Sequence, residues 1–175
     1  IFATGGIGGV HKFAEQTFDI SADLQELAKT GISVVCSGPK AILDIPKTLE
    51  FLETLGVPVI TFGQTYLPAF WSSDSPFISP LSLNDPCLIA KSHEIRKELG
   101  LSGGQLIANP ISKKDQIPFE KMEPIIMDAV KSANEQNIIT KELTPFVLSR
   151  INELTKGKSL SANIALIKNL SLIHI

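Results

Sequence analysis

The sequence predicts an α/β protein: a three-layer α/β/α sandwich around a largely parallel or mixed central sheet. Three observations carry this. Apolar, β-branched runs alternate with helical patterns from Ile1 to Phe62, in the order strand, helix, strand, helix, strand. That order implies parallel strands with helices packed on their faces. Short Gly- and Ser-rich turns follow the strands, and 43% hydrophobic content in 175 residues suits one core and one domain.

Ile1–Thr4 reads as a short buried strand, followed by the glycine-rich turn Gly5-Gly6-Ile7-Gly8-Gly9. Ser21 suits a helix N-cap and Asp23 the first turn, so a helix is expected through about Lys29. Gly31–Cys36 is β-branched and apolar, as a buried strand should be. Pro39 suits a first helical turn, predicting a helix from about Lys40 to Leu55 with a kink at Pro46. Val57–Phe62 is the third strand. Thr65–Leu83, broken by prolines and rich in serine, reads as a surface loop around the apolar patch Leu67–Trp71.

Asp85-Pro86 pairs an N-cap with a favoured first helical residue and opens a helix to about Leu99. Gln105–Pro110 reads as a further strand. A long amphipathic helix is expected through Asn134, another capped by Thr140 through Thr155, and a last one opened by Ser159 or Ser161. His93 reads as a helix-surface residue and His174 as tail.

Chemistry concentrates in three places. Four glycines in five residues let a backbone approach a ligand closely and turn N–H groups toward an anion. The pattern is neither a P-loop nor the dinucleotide fingerprint, and a plain turn is the competing reading. Lys40 is placed at a loop tip near a helix start, where the positive helix end disfavours the ammonium form and favours a nucleophilic amine. Asp19 lies ahead of a helix without a capping role, so a divalent cation is one use for it and a turn the other. Both the glycine turn and Ser37–Lys40 follow strand ends. If those strands are parallel neighbours, both loops share the edge where open α/β sheets bind ligands.

Composition excludes other classes. Sixteen basic and 18 acidic residues give a net charge of −2, with no general pull toward nucleic acid or an acidic membrane. Cys36 and Cys87 form neither a disulfide framework nor a zinc spacing, so a reducing, intracellular compartment is expected, with cytoplasm, mitochondrion and peroxisome undistinguished. No apolar run suits a bilayer span. The chain lacks an initiator Met and ends in an apolar tail. Residues 1–170 are therefore expected to be part of a longer domain, and 171–175 an aberrant tail.

Several segments carry a likeness: Phe2–His11, Thr17–Leu24, Ser33–Cys36 with Lys40, Ile42–Ile45 with Thr48–Glu50, Ala108–Ile111, Thr144–Phe146 and Ser161–Leu166. On these the chain resembles the pseudouridine-5′-phosphate glycosidase, or indigoidine synthase A-like, family over roughly residues 1–169. The resemblance implies reversible cleavage of the C–C glycosidic bond of pseudouridine 5′-phosphate to uracil and ribose 5-phosphate. It implies a divalent metal, usually manganese, and a homotrimer. Some eukaryotic relatives are fused to a carbohydrate kinase. Carried over, Lys40 is the Schiff-base lysine and Asp19 the metal-bound aspartate. Ser21, Ala22 and Asp23 contact substrate, His11 and Thr4 fall near the phosphate end, and Asn163 is a pocket asparagine.

Protonating a glycosidic oxygen cannot release a carbon-linked base, so the usual pair of carboxylates does not suffice. An amine that attacks the anomeric carbon opens the ring and forms an iminium, and the base departs after protonation of its ring carbon.

The chain also departs from the family pattern. The family's general-acid glutamate and a further phosphate-side lysine are expected upstream of Ile1, so this length of chain is expected to be inactive alone. Pro39 replaces a small residue, and Gln64–Leu67 replace an acidic segment. The alternatives to the glycosidase are a related sugar-phosphate C–C lyase and a non-catalytic remnant.

Overall fold

The structure is a computed structural model and describes residues 1–136, 138 and 142–172. Among the described residues five strands form one sheet: β1 (Phe2–Ala3), β2 (Ser33–Cys36), β3 (Val59–Phe62), β4 (Leu81–Leu83) and β5 (Gln105–Ala108), in the spatial order β1-β2-β5-β3-β4. Every pairing is parallel, as the alternating sequence pattern implies. Among the described residues seven helices surround the sheet: α1 (Ala14–Thr17), α2 (Ala22–Lys29), α3 (Ile45–Thr54), α4 (Pro86–Glu98), α5 (Phe119–Glu135), α6 (Leu143–Leu154) and α7 (Lys158–Leu172).

Strand alternation divides the core. Val34, Cys36, Val59, Leu106 and Ala108 face one way and pack with Leu24 and Leu27 of α2 and Ile45 and Leu52 of α3. Ile60 and Ile107 face the other way, against Ile89 of α4. A second large cluster joins α5, α6 and α7 to Ala41–Leu43, Phe70 and Trp71. Burying one such aliphatic side chain stabilises the fold by about 1.5–3 kcal/mol, so the helices are fixed chiefly by these faces. Helix signals account for their ends: the Ser21 side chain accepts the Asp23 N–H, Asp44 accepts that of Lys47, and Asp85 accepts that of Cys87.

Several expectations differ from the structure. The helix expected from Lys40 begins at Ile45, with Asp44 as its cap. The proline that opens it is Pro46, in the first turn, where its missing N–H is harmless, so it causes no kink. Pro39 instead lies in a parallel bridge with Ile7. The Leu67–Trp71 patch is core rather than surface: Leu67, Ala69, Phe70 and Trp71 are all buried. Serines satisfy the irregular backbone around it, with Ser75 Oγ donating to Leu67 O and Ser72 Oγ to Ile117 O. β4 (Leu81–Leu83) ends the segment Thr65–Leu83, expected from sequence to be loop throughout. Helix α7 runs through Leu172, with Leu170 buried, so residues 171 and 172 continue a helix. Thr140 and His174 lie outside the described residues. No helix among the described residues is long and apolar enough to cross a membrane.

Candidate active site

The two loops named in the sequence meet. β1 and β2 are parallel neighbours, and their ladder continues past both strand ends. Ser37 N–H donates to Gly5 O at 2.9 Å, Ile7 N–H to Gly38 O at 3.3 Å and Lys40 N–H to Ile7 O at 3.1 Å. The glycine segment is therefore a strand-like extension more than an open anion nest. Ile7, Gly8, Val10 and His11 each commit their N–H within the protein, to Gly38 O, Asp23 Oδ2, Thr48 Oγ1 and Asp19 O. Close packing explains two of the glycines. A Cβ on Gly8 would collide with Ser21 Oγ, and one on Gly6 would lie 2.6 Å from the Phe70 ring.

Antiparallel bridges then hold Val10 against Ile20 and His11 against Leu43. Three segments, 7–11, 19–21 and 39–44, are clasped side by side. They bring His11, Asp19 and Lys40 into one electrostatic cluster. His11 Nδ1 lies 3.8 Å from Asp19 Oδ2. The His11 imidazole is held below its ordinary value: burial disfavours the cation most, the Asp19 carboxylate opposes this, and the Lys40 ammonium adds to it. Near neutral pH the ring is thus neutral, available as a proton acceptor. Lys40 itself is half-buried and extends from a loop, not from a helix start, so no helix terminus activates it, contrary to the expectation from sequence.

The remaining predicted residues divide by role. Thr4 sits at the end of β1, its N–H on Val35 O. Ser21 caps α2, Ala22 is the exposed first residue of that helix, and Asp23 Oδ2 accepts the Gly8 N–H at 2.7 Å. Asp23 therefore ties α2 to the glycine segment whatever else it contacts. Asn163 lies on α7 and its Oδ1 accepts the indole N–H of Trp71 at 2.9 Å.

Sequence reasoning missed the segment Pro68–Trp71. Its backbone is locked to Ser37 twice: Phe70 N–H donates to Ser37 O and Ser37 Oγ donates to Phe70 O. Gly38, with φ +88°, lies so close to the Pro68 carbonyl that no Cβ fits. The signal was present in Trp71, the single tryptophan, and in its apolar neighbours.

A metal is the other implied component. Among the described residues no three His, Cys, Asp or Glu side chains gather as a ligand group. Asp19 offers one partly exposed carboxylate, a hard oxygen donor. That fits an ion of the magnesium or manganese kind that keeps most of its waters, and does not fit zinc, which needs a closed N/S set.

Comparison with known proteins shows the family. The family model for indigoidine synthase A like protein matches residues 1–173. The chain belongs to the indigoidine synthase A-like family. Among curated proteins it is 60% identical over 169 residues to a pseudouridine-5′-phosphate glycosidase of Paracoccus denitrificans (97% of this chain, 56% of the relative). A protein of the same name from Geobacillus kaustophilus is 54% identical over 169 residues, covering 97% and 56%. Among solved structures, a prealnumycin C-glycosynthase in complex with ribulose 5-phosphate superposes with a TM-score of 0.92 at 30% identity, covering 99% of this chain and 57% of that one. An indigoidine synthase A-like protein from Thermotoga maritima gives 0.85 at 33% identity, covering 95% and 54%. This chain thus spans about half the length of the relatives it matches.

Proposed function

We propose that this member of the family carries the lysine side of a pseudouridine-5′-phosphate glycosidase site. The observation that supports it most is the convergence of Lys40, His11 and Asp19 on the carboxyl edge of the sheet. The relatives named above carry that activity in their names.

In this reading Lys40 Nζ bonds the sugar's C1′ as the C1′–O4′ bond breaks, and O4′ takes a proton. Protonation of the base at its linked carbon then lets the C–C bond break, the nitrogen lone pair closing an iminium. Water hydrolyses the iminium and frees ribose 5-phosphate and the amine. Neutral His11 accepts the proton that Lys40 Nζ sheds so that the free amine can attack, or passes one on. The two clasped loops hold the amine at a fixed point, so its placement costs little reorganisation. Asp19 would hold a hydrated divalent ion, manganese being the family's usual choice, and the ion would supply positive charge beside a phosphate-bearing substrate. Ser21, Ala22, Asp23, Thr4 and Asn163 line the substrate side. The same reading includes a homotrimer, tested by mass in solution.

A second reading has one specific support, the C-glycosynthase named above: a C–C bond enzyme with another aglycone. Both are tested by incubating the full-length protein with ribose 5-phosphate and borohydride. Mass added at Lys40, and absent in Lys40→Met, is expected; no adduct with manganese present sinks the Schiff base. Uracil release from pseudouridine 5′-phosphate separates the two readings.

A further inference from the structure

Trp71 is almost fully buried, and its indole N–H can only donate. Its partner is Asn163 Oδ1, 92 residues away on α7, at 2.9 Å. This contact settles which way the Asn163 carboxamide points. Only its oxygen can accept, so the oxygen faces Trp71 and the NH2 group faces away. Nδ2 has no hydrogen-bond partner among the described residues, and it is not among the buried polar atoms left unpaired. It is therefore an oriented donor that is not sealed in the core.

The pair is anchored to the site from both sides. Trp71 follows Phe70, whose backbone is bonded twice to Ser37 and whose ring lies on Gly6. On α7, Leu166 and Ile167 lie on the same stretch as Asn163, and each approaches to 3.2 Å of where a Gly5 Cβ would stand. Asn163 thus belongs to the edge that carries Thr4, the glycines and Lys40.

We propose that Trp71 is a positioning residue: its indole holds the Asn163 carboxamide by the oxygen and presents the NH2 to the ligand. Asn163 then recognises an acceptor oxygen, either a carbonyl of the departing base or a sugar-phosphate oxygen. This rests on the glycosidase reading for what the ligand is, but not for the clamp itself.

The test measures dissociation constants for uracil and for ribose 5-phosphate separately, on the full-length protein and its variants. Trp71→Phe keeps the ring bulk and frees the amide to turn over. It should weaken one of the two probes about fivefold, the worth of one neutral hydrogen bond, and which probe responds identifies the acceptor. In an Asn163→Leu background the same change should have no effect on binding, since Trp71 acts through Asn163. Losses that simply add overturn the proposal. Asn163→Asp, which leaves the core untouched, retains an acceptor for the indole but offers no donor. It should lose probe affinity with the indole N–H still protected from hydrogen exchange. Should neither probe bind wild type, the glycosidase reading falls, and the indole decides the clamp: exchange equal in wild type and Asn163→Leu overturns it.

Discussion

Gly8→Ala is a severe change at a position that looks permissive. Gly8 is not among the glycines with positive φ, so alanine meets no left-handed backbone penalty there. The cost comes from collision: the new Cβ would overlap Ser21 Oγ, lie 2.5 Å from Ser21 Cβ and 3.0 Å from Asp23 Oδ2. Two interactions must yield. One is the Ser21 cap of α2, worth about 1 kcal/mol. The other is the Gly8 N–H to Asp23 bond at 2.7 Å, worth about 1.5 kcal/mol at an exposed carboxylate. Together they predict a loss of about 2–3 kcal/mol, or roughly 4–12 °C in melting temperature for a domain of this size. Differential scanning calorimetry reads it directly. Ser21→Gly alone should cost only a few tenths of a kcal/mol and should relieve much of the clash. A Gly8→Ala melt within about 1 °C of wild type would refute the reasoning, as would an equal loss in the Ser21→Gly background.

Three further outcomes are expected. In metal-free protein, the His11 ring should titrate by NMR below its ordinary 6.5; Lys40→Met should raise the midpoint and Asp19→Asn lower it. Because the folded value is depressed, the unfolded chain binds more protons between the two values, so His11's contribution is fully present above about pH 6.5 and is lost as pH falls toward the folded midpoint; His11→Gln should flatten that part of the stability profile. Thr48→Val should cost about 1–3 kcal/mol in urea denaturation, because buried Thr48 Oγ1 accepts the Val10 N–H and its loss leaves that group unpaired. Thiol titration of native protein should modify exposed Cys87 and spare Cys36, whose thiol is buried and pushed up to about 12; equal rates would contradict the packing.

What could be read from the sequence was what local chemistry dictates. β2 and β3 are rich in β-branched residues, β5 is mostly apolar, and Ser21 and Asp85 cap as their side chains prefer. Parallel order followed from alternation. The helix start near Lys40 was misread because two prolines, Pro39 and Pro46, compete for the first turn. Only the tertiary bridge from Pro39 to Ile7 decides between them. The burial of Leu67–Trp71 was hidden for a related reason: its backbone is satisfied by serines and distant carbonyls, which no local pattern announces. His11, Asp19 and Lys40 entered as separate residues of differing roles, and their convergence is a property of the bridges between their loops.

Those bridges also limit how the chain can change length. Residues 5–11 are bonded almost position by position to 19–21 and 37–44. Adding or deleting one residue in any of the three would slip it against both neighbours and reverse which side chains face inward. Insertions should be tolerated in the exposed turn at Gly100–Ser102, where no such partners constrain the spacing of Lys40 from His11. The spacing of the reactive groups is therefore inherited as a fixed interval, and engineering of this site has substitutions at its disposal but not insertions or deletions.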